Sequence, residues 1–88
     1  MPNIKSAKKR MRSSESRREG NLVVRTRVKT AKRKVREALA AGVAETAGAA
    51  VREYSSVLDK AVKRGVIKKS TAIRRKRRAN EALRKLEA

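Results

Sequence analysis

The residues of this chain that can do chemistry are cations. Arg25, Lys29, Lys32 and Arg36 recur at steps of 4, 3 and 4 residues, with Arg33 extending the row outward. On a helix such spacing gathers the four side chains into one ribbon, with neighbouring heads about 5–6 Å apart along the axis. A row of that kind suits a line of backbone phosphates, each of which releases condensed counterion when neutralised. Almost no acidic residue alternates with these cations, as it would on a salt-bridged surface helix, so phosphate binding outweighs a merely solvated charged face. Two further groups repeat the theme: Lys5, Lys8, Lys9, Arg10, Arg12, Arg17 and Arg18 near the start, and Lys68, Lys69, Arg74, Arg75, Lys76, Arg77 and Arg78 near the end. Arginine's planar fork adds bidentate phosphate binding that lysine lacks. Ser6, Ser13, Ser14, Ser16 and Asn21 supply neutral hydrogen bonds to phosphate, ribose or base, or else cap helices. The cluster at 74–78 surrounds most of a helix circumference, which predicts contacts on two sides.

Other chemistries are closed by composition. The 88 residues contain no Cys, His, Trp or Phe, and Tyr54 is the single aromatic. A disulfide frame, an ordinary zinc, haem or iron–sulfur site, a His-assisted nucleophile and a neutral-pH proton shuttle are therefore all excluded. Glu45, Glu53 and Asp59 have no paired partner at a spacing that suggests acid–base work. The sequence predicts no enzyme, no cofactor and no metal. Base-stacking platforms need exposed aromatics, and a lone Tyr in an apolar stripe reads as core. No apolar run reaches a membrane span or a signal-peptide core, which predicts a cytoplasmic protein.

Charge and hydropathy then outline the elements. Lys plus Arg number 27 against 8 Asp plus Glu, a net charge of +19. Residues 1–36 carry +12, residues 37–62 carry −2 and residues 63–88 carry +9, so two basic segments flank a nearly neutral strut. The apolar fraction of 39% is dominated by alanine and valine, which predicts a thin core offsetting strong self-repulsion. Val24, Val28, Ala31, Val35 and Ala38 form one helical seam from Leu22 to a stop at Gly42. A second series, Val43, Ala47, Ala50, Val51, Tyr54, Leu58, Ala61 and Val62, spans residues 43–64 and ends at Gly65. A third helix over 70–87 starts from an N-cap at Ser70, with a seam of Ala72, Lys76, Ala79, Leu83 and Leu86 in which Lys76 snorkels along the core edge. Residues 1–21 have no stripe to bury. They read as a solvated extension of the first helix or as an arm that orders on its ligand, with a capping box at Ser16–Glu19 and a break at Gly20-Asn21 as the competing local signal. Strand signals are missing. The fold class is all-α: an antiparallel three-helix bundle in a single domain, with a long, basic first helix overhanging the rest.

The opening Asn3-Ile4-Lys5-Ser6-Ala7-Lys8-Lys9-Arg10 resembles that of the bacterial small-subunit ribosomal protein S-twenty family. The likeness continues through Ser14, Arg18, Asn21, Arg25, Lys29, Thr30, Lys34 and Val35. It reappears at Leu58-Asp59-Lys60-Ala61, at Gly65-Val66-Ile67 and at Lys69, Ala72, Arg74 and Lys76. The resemblance implies a three-helix bundle, a place in the small ribosomal subunit beside other ribosomal proteins, and direct binding to small-subunit (16S) rRNA early in assembly, on its 5′ domain and near the long penultimate helix. It also implies Lys5, Ser6, Lys8, Lys9, Arg10, Ser14, Arg18, Asn21, Arg25, Lys29 and Lys34 as first contacts, followed by Lys69, Arg74 and Lys76. Two positions depart from the family pattern: Lys68-Lys69-Ser70 stands where His-Lys-Asn is frequent, and Gly20 interrupts an otherwise continuous helix.

Three other classes compete and fit less well. A histone-like architectural DNA binder needs an apolar wedge or minor-groove arm, and no loop tip here supplies one. A membrane-active helix needs a broad bulky apolar face, whereas these stripes are rich in Ala and Val. An enzyme lacks its acid–base pair.

Overall fold

The computed structural model describes residues 4–88 as three helices: α1 (Ile4–Ala41), α2 (Ala44–Lys63) and α3 (Lys69–Glu87). The first is 38 residues long, about 57 Å at 1.5 Å per residue, roughly twice the length of either partner. Helix α2 packs against both neighbours, while α1 and α3 touch one another only lightly. The core is therefore a row of side chains along α2, closed by α1 on one side and α3 on the other.

The seam expected on α1 is the seam that is buried: Val24, Val28, Ala31, Val35 and Ala38 all lie in the core. Val24, Val28, Ala31 and Val35 join Val51, Tyr54, Leu58 and Ala61 of α2 in one cluster, which Ala72 and Ala79 of α3 complete. Leu83 packs against it half-buried, as do Val66 and Ile67 of the second turn. Val43 departs from the expected series. It is the N-cap of α2 in extended conformation and stands half exposed, because a residue outside the first turn no longer follows the helix face.

Both turns are built on left-handed glycines. Gly42 has φ 78° and Gly65 has φ 74°. At the second turn the Gly65 N–H donates to the Val62 carbonyl (2.9 Å) and the Val66 N–H to the Ala61 carbonyl (3.0 Å), the paired bonds of a Schellman motif. Val66 and Ala61 then meet in the core, and the chain enters α3 at a fixed angle. Gly65→Ala is expected to lower stability by about 1–2 kcal/mol, since a Cβ is strained in this conformation although open space surrounds it. Urea denaturation at fixed salt measures the difference.

Three local expectations are corrected. Helix α1 runs unbroken through Gly20 and Asn21, so Ser16 sits in mid-helix and caps nothing. Helix α3 begins at Lys69 with Lys68 as an extended N-cap that makes no side-chain bond, so Ser70 lies inside the first turn. Helix α2 ends at Lys63, with Arg64 as its C-cap. The misfit Lys76 does lie along the core edge, half-buried, and its ammonium reaches the Asp59 carboxylate of α2. Its stem covers apolar surface while the charge stays partnered.

Every described residue from Lys5 to Glu19 is exposed, and the first buried position is Val24. The molecule measures 67 × 22 × 13 Å with a radius of gyration of 17.8 Å, against about 12 Å for a compact chain of this length. Its accessible surface is 7395 Å², where a compact monomer of 9.8 kDa exposes about 5200 Å². The excess lies in the overhanging half of α1, where no described residue from Lys5 to Val23 is buried.

Candidate nucleic-acid interface

Because α1 and α3 both dock on α2 but barely on each other, an open groove runs between them. One stretch is lined by Arg25, Lys29 and Lys32 on one wall, Lys68, Thr71 and Arg75 on the other, with Val28, Val66 and Ile67 below. The next stretch is walled by Lys32 and Arg36 opposite Arg74, Arg75 and Arg78, over Val35, Leu39, Tyr54, Ala79 and Ala82. The ribbon expected on α1 is thus one wall of a two-walled cationic channel. No carboxylate lines either stretch. Confining like charges between low-dielectric walls focuses a positive potential that attracts anions.

The track continues along the overhang. The line that holds Val24 and Val28 in the core passes through Asn21, Arg17, Ser14 and Arg10 when traced back at the same steps. Shallow clefts on that side are lined by Arg25, Asn21, Arg18, Arg17 and Ser14, then by Ser13, Arg10, Lys9 and Ser6. Where partner helices cover this face of α1 it is apolar; where they stop, the same face turns to arginine, serine and asparagine. From Ser6 to Arg36 the track spans about 45 Å along one helix axis.

The structure sorts the remaining candidates. Arg74, Arg75 and Arg78 join the groove, whereas Lys76 is turned toward Asp59 and Arg77 lines no part of it. Lys69 is exposed at the start of α3 and is likewise outside the groove lining. Arg33 stands off the ribbon, 3.9 Å from Glu37 in an exposed i,i+4 pair worth a few tenths of a kcal/mol. Lys34 lies on the opposite flank of α1, in a cleft shared with Glu37, Thr46 and Glu53. Lys5, Lys8 and Arg12 are exposed on the overhang, outside the clefts that mark the track.

Lys68, Arg74, Arg75 and Arg78 are expected contacts on sequence grounds, but their convergence with the α1 ribbon on one groove is not, although the signal for it is present. On α1 the cations sit one residue after Val24, Val28, Ala31 and Val35. On α3 Thr71, Arg75, Arg78 and Ala82 sit one residue before the seam positions Ala72, Lys76, Ala79 and Leu83. Two helices pointing the same way on a common partner turn those opposite flanks toward each other. Tyr54 was read as core only, and it is also part of the groove floor.

Among the described residues there is no group of three or more His, Cys, Asp or Glu placed to hold a metal, and no helix long and apolar enough to cross a membrane. A thin helical bundle, an exposed cationic extension and a cation-walled groove define a small, strongly basic all-helical protein. Comparison with known proteins makes this specific: the family model for ribosomal protein S20 matches residues 2–84, and the chain belongs to that family, a structural constituent of the small ribosomal subunit. A relative from Beutenbergia cavernae, named small ribosomal subunit protein bS20, is 50% identical over 76 residues, covering 86% of this chain and 88% of its own length. The protein of the same name from Streptomyces griseus is also 50% identical over 76 residues. That from Thermobifida fusca is 46% identical over 87 residues, 99% of this chain and 95% of its own.

Proposed function

We propose that this chain binds small-subunit (16S) rRNA directly, through the α1–α3 groove and the overhanging face of α1, and that it stabilises the folded RNA during assembly in the cytoplasm. The observation that carries the reading is the convergence of two cationic rows on one groove, continuous with the polar face of an extension that has no protein to pack on. Contacts of this type go to phosphate and ribose and fix position; sequence enters through the shape of the folded RNA. Once helical along its whole length, a row about 45 Å long reaches several RNA helices only where they approach one another, so binding favours the folded arrangement. The single-domain organisation follows: the bundle orients one half of α1, and the other half projects into RNA.

Competition at moderately high salt tests this. Labelled 5′-domain small-subunit rRNA is challenged with an equal-length unrelated structured RNA and with duplex DNA. The expected result is that cognate RNA stays bound under a large excess of either competitor, with log affinity falling linearly in log salt at a slope of several units. Equal competition by all three would reduce the interface to generic polyanion binding and move the architectural DNA reading up.

A further inference from the structure

The hydroxyl of Tyr54 is the one polar group of the core that has no role in the fold. The residue is only 4% exposed, in a core that holds no other polar or charged side chain. Its ring packs among Val35, Val51, Leu58 and Ala79 in one hydrophobic cluster. Among the described residues no hydrogen bond reaches the hydroxyl, yet it is not a sealed, unsatisfied group. The hydroxyl thus keeps a trace of accessible surface, and Tyr54 is one of the residues that floor the groove between Lys32, Arg36, Arg74, Arg75 and Arg78.

We propose that this hydroxyl donates a hydrogen bond to a phosphate oxygen of the RNA strand seated in the groove, so that Tyr54 is a neutral, buried reader of the backbone. The inference rests on the rRNA-binding reading and deepens it. The five cationic side chains around the tyrosine offer donors and no acceptor, so the ligand they select presents acceptors only, which is the character of a phosphodiester. A ribose hydroxyl would bring its own donor into a site already crowded with them, and the acceptor edge of a base lacks the negative charge that matches five cations. A hydroxyl donating to an anionic oxygen forms the stronger, charge-assisted class of bond. Phenylalanine would fill the same core volume without a partnerless polar atom, so the hydroxyl gains its free-energy return in the complex.

Tyr54→Phe separates the two states. The free variant is expected to match or exceed the wild type in helicity and urea midpoint, since no internal bond is lost. Its Kd for the 5′-domain rRNA fragment is expected to rise roughly 10-fold. The slope of log Kd against log salt stays that of the wild type, because a neutral donor releases no counterion; an Arg75→Ala control lowers the slope by about one. As Tyr54 is the sole aromatic residue, a 3-fluorotyrosine label gives a single fluorine resonance, which is expected to shift when the same RNA is added. A Tyr54→Phe variant binding within about twofold of wild type would overturn the proposal whatever the resonance does, and so would an unmoved resonance in saturated complex. If the wild type itself shows no preference for the rRNA fragment over unrelated RNA, it is the broader reading that fails.

Discussion

Reversal of Arg25 and Lys29 to glutamate together is expected to weaken rRNA binding by about 100-fold or more, with no loss of helix. Both residues stand on the α1 wall of the groove, exposed, one position off the buried seam. Neither touches the core, so far-ultraviolet circular dichroism and the urea midpoint should stay at wild-type values. Reversal would even relieve part of the self-repulsion of a chain carrying +19. The loss arises because two phosphate contacts disappear and two repulsive ones replace them, each contact being worth about 1–3 kcal/mol. Filter binding across a salt series checks it. The slope should fall by about 1.5–2 in magnitude, and the mutant and wild-type lines should converge as salt rises. Equal affinities at low salt would remove the α1 wall from the interface. Reversing Arg33 and Lys34 instead is the matched control, for one is paired with Glu37 and the other faces the α2 flank.

The second large effect concerns the overhang. Residues 5–21 are expected to lose helix in the free protein and to gain it when RNA binds. In this segment an isolated helical extension relies on propagation from the docked half of α1, with no apolar face to bury and like charges crowded along it. Gly20 weakens the junction by about 1 kcal/mol relative to alanine, having neither a side-chain contact nor a turn to justify it. Hydrogen exchange should find amides 8–21 nearly unprotected in free protein and protected on the order of 100-fold more strongly in the complex. Gly20→Ala, with open space around its new methyl, should raise free-state helicity and so narrow the change seen on binding. Full protection of the segment without RNA at low salt would show that the extension needs no ligand to hold its shape.

Both expectations come from one property of the chain, that the same face of α1 serves two environments. A helix long enough to dock and to project lets a small bundle of alanine and valine place cations far from its own centre. The groove adds the complementary arrangement, two walls brought together by a third helix that bears little charge itself. Helix α2 carries Glu45 in its first turn and Lys60 and Lys63 in its last, which suits the helix dipole and leaves the strut nearly neutral. Were α2 as basic as its neighbours, repulsion across the core would act directly against the packing that forms the groove.

How far the sequence reached can be judged residue by residue. The seam of α1, the glycine stops at 42 and 65, the snorkelling of Lys76 and the overhang were all legible, because each depends on periodicity or backbone conformation that a linear pattern encodes. The family was legible as well, from the opening octapeptide and the ordered motifs after it. Helix starts were less so: Ser70 looked like a cap and Ser16 like a capping box, but local capping signals are worth about 1 kcal/mol and yield to the docking of α3 at Ser70 and to propagation from the docked half of α1 at Ser16. What only the tertiary structure decided was which cations share a surface. Arg75 and Arg78 face Lys32 and Arg36, Lys76 turns to Asp59, Lys34 goes to the opposite flank, and Tyr54 lies in the floor of the channel. A sequence fixes the angle of each side chain about its own helix axis, since 3.6 residues make a turn. Which flank of one helix meets which flank of another depends on how both pack against a third, and that is settled by the summed contacts of the core.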